Sequence, residues 1–168
     1  MIVFFVQARL VGRGNVRLHR RLGLASFGAA VAVTLSTAWV FIAVWKGWSA
    51  MPVYAQANRL LLPTYAALVF LAYRNRRDAA LHKRYVLVAT LCMLEPILSR
   101  AFDPLDFFLR NYPAALVDGA WMVFAVVLWN GLFLSLFAYD RVVGGRIHPI
   151  SILGFAWVWG VWGLVALI

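Results

Sequence analysis

Long apolar segments alternate with short polar loops along most of this chain. Five segments approach the length of a membrane crossing, at about residues 22–45, 51–73, 85–102, 114–139 and 150–168. A helix needs roughly 20 predominantly apolar residues to cross the ~30 Å hydrocarbon layer of a bilayer. The pattern therefore predicts an all-α integral membrane helical bundle with five transmembrane helices, forming a single domain over residues 1–168.

The N-terminus carries a shorter apolar segment, Ile2-Val-Phe-Phe-Val6, which is followed by Gln7 and then by basic residues. It is too short to span a bilayer. Its charges follow the apolar stretch, whereas in a secretory signal they precede it. Two interpretations stay open: a truncated sixth transmembrane helix, whose native start lies upstream of Met1, or a stub lying flat on the inner membrane surface.

The composition excludes a water-soluble globular domain. Hydrophobic residues make up 64% of the chain and charged residues 13%, with a mean hydropathy of +0.83. Soluble domains are about 25% charged, because they need a polar shell as well as an apolar core. Lipid is therefore the expected surrounding of most of the surface.

The net charge of +10 is distributed over alternate loops. Basic residues concentrate before the first segment, between the second and third, and between the fourth and fifth: Arg9, Arg13, Arg17, Arg20, Arg21, Arg74, Arg76, Arg77, Lys83, Arg84, Arg141 and Arg146. The remaining ones are Lys46, Arg59, Arg100 and Arg110. This is the positive-inside pattern, which predicts cytoplasmic basic loops and an outside C-terminus. It favours a role in orientation over nucleic-acid binding.

All three histidines of the chain stand where a basic loop enters an apolar segment, at Leu18-His19, Leu81-His82 and Ile147-His148. If every segment crosses the membrane, they lie at the same boundary. Three imidazoles, with Asp140 as a fourth ligand or as an acceptor behind one ring, can bind a transition metal. Two of them can bind haem b axially. The alternative is that the histidines anchor or cap the helix ends beside the basic residues.

A second polar set lies within the predicted spans. Glu95 and Arg59 fall at similar depths if the second and third segments form a hairpin, and Arg100 and Asp118 lie nearby. An unpaired charge at such a depth costs at least ~2.5–3.5 kcal/mol, so Glu95 needs a partner or a proton. We expect Arg59 as the first candidate partner. The set is either a proton or ion path or a structural ion pair.

Motifs of soluble catalysis are missing from the sequence. It contains no Walker loop, dinucleotide fingerprint, His-Glu-x-x-His or Gly-x-Ser-x-Gly. Cys92 is the one cysteine and lies inside a span, where a small buried hydrophobe is its common role. Whether the protein is an enzyme stays open at this point.

Three motifs carry a family resemblance: His19-Arg-Arg-Leu-Gly23, Leu81-His-Lys-Arg-Tyr-Val-Leu-Val-Ala-Thr90, and Gly145-Arg-Ile-His-Pro149. They resemble a group of small bacterial multi-pass membrane proteins of unknown function. The resemblance implies the inner membrane of a bacterium and, since members of the group begin with a full first helix, supports the sixth helix. It implies no activity, cofactor or catalytic residue.

Three functions follow from these patterns. The first is an integral membrane protein that binds a metal or haem through the histidines. The second is an accessory or scaffold membrane protein without its own chemistry, working as a homo-oligomer or with a partner membrane subunit. The third is a small transporter that uses Glu95 and Arg59.

Overall fold

The computed structural model describes residues 2–109 and 111–168, without the side chains of residues 2–5, 8 and 106. Arg110 and the carboxylate of Asp106 thus lie outside the described part. The described residues form helices and no strands. The helices are α1 (Ile2–Gly12), α2 (Val16–Ala43), α3 (Val53–Arg74), α4 (Ala79–Cys92), α5 (Glu95–Leu109), α6 (Ala114–Gly144) and α7 (Pro149–Leu167). The predicted all-α class is confirmed.

Three of these helices, α2, α6 and α7, are long and apolar enough to cross a membrane. A fourth crossing is present if α4 and α5, which meet at a bend of 54°, form one broken span. Five transmembrane helices are thus not confirmed. The second predicted segment forms α3, where Gln56, Asn58 and Arg59 interrupt the apolar sequence.

The predicted third segment is not one straight helix, and Pro96 supplies the reason. Proline has no N–H, so Pro96 cannot donate the helical hydrogen bond to the carbonyl of Cys92, and its ring collides with that carbonyl. Accordingly α4 ends at Cys92 and α5 begins at Glu95. Helix α5 then continues to Leu109, beyond the predicted end of the third segment at residue 102.

The chain divides into two compact units, of which the first is Met1–Trp45. Within it, α1 and α2 are joined by a tight turn in which Gly14 has a φ of +72°. The Asn15 side chain caps α2 by accepting a hydrogen bond from Leu18 N (3.2 Å). No residue of α2 is buried, and Trp39 and Ile42 are each 71% exposed. Such an apolar surface is stable in lipid and costly in water.

The second unit, Lys46–Ile168, has a core shared by five helices. The α3–α4 hairpin packs on α7, and α7 also contacts α6. The buried side chains are mostly aliphatic, joined by Trp129 and Phe133 of α6. At Gly154 of α7 an added Cβ would overlap the Val88 side chain of α4. Glycine is therefore what allows α4 and α7 to approach this closely.

Candidate functional site

Arg84 of α4 and Asp140 of α6 form a buried ion pair in the second unit. The Arg84 Nη2 atom lies 2.7 Å from Asp140 Oδ1, and Arg84 Nε donates to the same oxygen at 2.9 Å. Asp140 is 0% exposed and Arg84 is 7% exposed. The remaining guanidinium nitrogen, Nη1, donates to the carbonyl of Ala80 (2.8 Å). The pair therefore joins α4 to α6 and neutralises both charges inside the protein.

The second carboxylate oxygen of Asp140 binds the start of α7. Asp140 Oδ2 accepts hydrogen bonds from the backbone N–H of His148 (3.0 Å) and from the hydroxyl of Ser151 (2.6 Å). Ser151 is also 0% exposed. A carboxylate offers about four lone-pair positions, and four donors occupy them here. Asp140 thus connects α4, α6 and α7 through four hydrogen bonds, and its role as a metal ligand stays a prediction.

His148 caps the first turn of α7. Its Nδ1 accepts a hydrogen bond from Ile150 N (3.2 Å), and Pro149 occupies the first helical position. An unpaired backbone N–H at a helix start is stabilised by such a side-chain acceptor. Because Nδ1 is the acceptor, the proton of the neutral ring lies on Nε2. This tautomer presents an N–H group, not a lone pair, to a ligand.

His82 binds the end of the preceding helix. Its Nδ1 lies 2.8 Å from the carbonyl oxygen of Ala72, in the last turn of α3. A carbonyl oxygen can only accept, so Nδ1 carries the proton. The ring thereby satisfies one of the carbonyls that a helix end leaves without a partner. It also leaves the lone pair of the neutral imidazole on Nε2.

His19 occupies the corresponding place in the first unit. The side chain of Gln7 on α1 contacts the His19 ring, and in the orientation that satisfies both of its ends it also donates to the His19 carbonyl (3.2 Å) and accepts from Gly23 N (2.9 Å). Each of the three histidines therefore stands at the turn of a helical hairpin: α1–α2, α3–α4 or α6–α7. This common position accounts for the repeated aliphatic-His step in the sequence.

The described residues contain no group of three or more His, Cys, Asp and Glu side chains placed to hold a metal ion. The predicted site at His19, His82 and His148 stays a prediction. The pairing of Asp140 with Arg84 and Ser151 was not expected from the sequence. The signal that the sequence offers is an acidic residue, Asp140, at the end of a long apolar segment and next to Arg141.

The polar set predicted within the second and third segments includes one hydrogen bond between α5 and α3. Glu95 begins α5 at the helix break, and its Oε2 accepts a hydrogen bond from Asn58 Nδ2 of α3 at 2.7 Å. Among the described residues, Glu95 is thus hydrogen-bonded to Asn58, the sequence neighbour of Arg59, and a pairing of Glu95 with Arg59 stays a prediction. Arg100 and Asp118 are exposed on α5 and α6.

Gln56, two residues before Asn58, holds the loop that precedes α3. Its Nε2 donates to the carbonyls of Trp48 (2.9 Å) and Met51 (3.0 Å). The N-cap position of α3 is Pro52, which supplies no side-chain hydrogen bond. Gln56 therefore orders this loop from within the helix, a structural role for one of the three residues that interrupt the apolar segment.

Comparisons of this chain with protein-family models, with curated proteins and with solved structures found no match.

Proposed function

We propose that this protein is an accessory or scaffold protein of the bacterial inner membrane, whose charged and histidine residues hold helical hairpins together. The observation that carries the proposal is Asp140, whose two oxygens receive four donors from three sources: Arg84, the His148 backbone and Ser151. A buried carboxylate that accepts this many hydrogen bonds from neighbouring helices is suited to holding those helices together.

The histidines support the same proposal. The contacts of His82 and His148 are with helix-end backbone groups of α3 and α7. Helix ends inside or beside a membrane need such partners, because unsatisfied backbone groups cost several kcal/mol in hydrocarbon, on the order of 2–7. Helices with many exposed apolar side chains suit a protein that packs against another copy or against a partner membrane subunit.

For orientation we propose that the loops carrying Arg76, Arg77 and Arg146 face the cytoplasm and that the C-terminus is outside. The distribution of Lys and Arg supports this, since cytoplasmic loops carry an excess of these residues.

The test is purification in mild detergent without chelator, followed by crosslinking, elemental analysis and a visible spectrum. We expect a stoichiometric complex with a second copy or another membrane protein, no stoichiometric transition metal and no Soret band. A monomer carrying one metal or one haem per chain would overturn the proposal.

A second candidate function is binding of haem b or a transition metal, and the tautomer of His82 favours it. Metal-bound histidines commonly donate the other ring N–H to a carbonyl, as His82 donates to Ala72. His82 Nε2 would then be the ligand atom, and participation of His19 stays a prediction. His82→Asn would lose any bound metal or haem, whereas Lys83→Ala on the exposed side would keep it.

A further inference from the structure

The break between α4 and α5 places a carboxyl group inside an apolar stretch. Pro96 ends the helical hydrogen-bond ladder at Cys92, and Glu95 is the first residue of the helix that follows. Leu94 and Leu98 on either side of Glu95 are buried at 1% and 5% exposure. Glu95 itself is half-buried. A full negative charge in such surroundings is costly unless something neutralises it.

The group that faces Glu95 is the carboxamide of Asn58, which is only 6% exposed. Its Nδ2 donates to Glu95 Oε2 at 2.7 Å. Its other polar atom, Oδ1, is buried and accepts no hydrogen bond from the described residues. An unsatisfied buried acceptor costs about 1–3 kcal/mol. Nδ2 and Oδ1 are bonded to the same carbon atom of one planar group, so the acceptor that needs a donor is on the same end of the Asn58 side chain as the atom that contacts Glu95.

We propose that Glu95 and Asn58 form a proton-binding site at the helix break. A proton taken from water adds to Glu95 Oε1, and the new O–H donates to Asn58 Oδ1, while Asn58 Nδ2 keeps its bond to Oε2. The carboxylic acid and the carboxamide then form a cyclic pair with two hydrogen bonds. One proton thereby removes the charge of Glu95 and satisfies Oδ1 of Asn58, which a carboxylate cannot do since it has no donor.

A metal cation fits this pair less well. Na⁺ would compete for the same oxygens, but the Asn58 N–H group directed at Glu95 repels a cation. A divalent ion would also leave one positive charge uncompensated in an apolar region. The charged or titratable groups on the elements around the break include Tyr54, Arg59 and Tyr65 of α3, Cys92 of α4, Arg100 and Asp103 of α5, and Asp118 of α6. Among the described residues, Glu95 accepts its side-chain hydrogen bond from Asn58.

Discontinuous helices with polar residues at the break are the usual place for protons and ions in membrane transport proteins. A site that takes up and releases a proton goes beyond the proposed accessory role and is independent of it. Failure of the proton site would leave the Arg84–Asp140 connection unaffected, and the two are tested by different measurements.

The test is infrared spectroscopy of the full-length protein in lipid, through the C=O stretching band of a protonated carboxyl group. We expect this band at neutral pH in the wild type, its loss at high pH, and its absence in Glu95→Gln. Asp118→Asn is the matched control, since Asp118 is an exposed carboxyl, and should keep the band. Asn58→Leu should shift the band to higher frequency because the acid loses its acceptor.

Glu95→Gln is nearly isosteric and can form an analogous cyclic pair with Asn58, so we expect it to fold as the wild type does. If Asn58→Leu fails to fold, the pH titration of the band in the wild type, Glu95→Gln and Asp118→Asn still decides whether Glu95 binds the proton. Absence of the band in the folded wild type at neutral pH, or its persistence in Glu95→Gln, would overturn the proposal. The proposal would also be overturned if the band were absent and Na⁺ stabilised the wild type but not Glu95→Gln.

Discussion

The indole N–H of Trp129 on α6 donates a hydrogen bond to the backbone carbonyl of Leu91 on α4, with 3.1 Å between Nε1 and O. Both residues are buried, at 4% and 1% exposure. In an uninterrupted helix this carbonyl would accept from the N–H of Glu95. Because α4 ends at Cys92, the carbonyl needs another donor, and Trp129 provides it. The broken helix is thus held at its break by α6.

Replacement of Trp129 by Phe should lower the free energy of unfolding by about 1–3 kcal/mol, since the Leu91 carbonyl is left buried without a donor. Unfolding in detergent by SDS titration measures it. Trp157→Phe is the control, because exposed Trp157 donates to the Thr64 hydroxyl (2.9 Å), and that hydroxyl can turn to its own helix backbone. Equal losses in the two variants would contradict the role of Trp129 at the break.

Removal of Asp140 should be among the most destabilising single changes in the second unit. Asp140→Ala leaves the Arg84 guanidinium buried without its partner, which costs about 3–5 kcal/mol. The double variant Arg84→Met with Asp140→Leu should lose less stability than the two single variants lose in sum. The reason is that the double variant leaves no charge unpaired, whereas each single variant does. Arg141→Ala, one position along and exposed, should stay within about 0.5 kcal/mol of the wild type.

Two substitutions of His148 separate helix capping from ligand binding. His148→Asn keeps an N-cap acceptor and should retain the stability of the wild type, whereas His148→Ala should lose about 1 kcal/mol. Both variants lack an imidazole. If His148 were a ligand of a metal or haem, His148→Asn and His148→Ala would lower the metal or haem content of the purified protein equally. That result would contradict capping as the main role of His148.

Gly154→Ala should separate α4 from α7, because the added Cβ overlaps the Val88 side chain. We expect a loss of about 1–3 kcal/mol, as for other overpacked cores. Val88→Ala in the same chain should recover part of it by making room. Gly160→Ala is the control: nothing lies within 4 Å of its Cβ position, and alanine favours a helix by about 0.5–1 kcal/mol. Failure of Val88→Ala to relieve Gly154→Ala would argue against this contact.

Single cysteines introduced at Arg77, Arg146 and Tyr112 distinguish three crossings from four. The loops that hold Arg77 and Arg146 should be labelled from the same side, since the Arg84–Asp140 pair connects the helices that begin and end there. Tyr112 is 56% exposed and should be labelled from the opposite side if the bent α4–α5 pair crosses the membrane. Labelling of Arg77 and Tyr112 from one side and of Arg146 from the other would identify the α4–α5 pair as a re-entrant segment, since α6 crosses between Tyr112 and Arg146. Cys92 is buried, so background labelling should be low.

The apolar pattern was enough to predict α2, α6 and α7, because a long run of apolar residues has few alternatives to a helix in lipid. It predicted the second and third segments less well. Pro96 was visible in the sequence, yet whether a proline bends or breaks a helix depends on what satisfies the freed carbonyls. Here Trp129 satisfies one of them, and it is 38 positions away from Leu91.

The sequence by itself determined the helical class, the position of the basic loops and the placement of every histidine at a hairpin turn. These depend on local composition and on the length of apolar segments. Only the tertiary structure decided that Glu95 contacts Asn58 and that Asp140 contacts Arg84 and Ser151. Successive residues on a helix point about 100° apart. A depth in the membrane that is counted along the sequence therefore cannot decide whether Asn58 or Arg59 contacts Glu95. That choice depends on how each helix is rotated against its neighbours, which is fixed by packing contacts such as the close approach of Gly154 to the Val88 side chain.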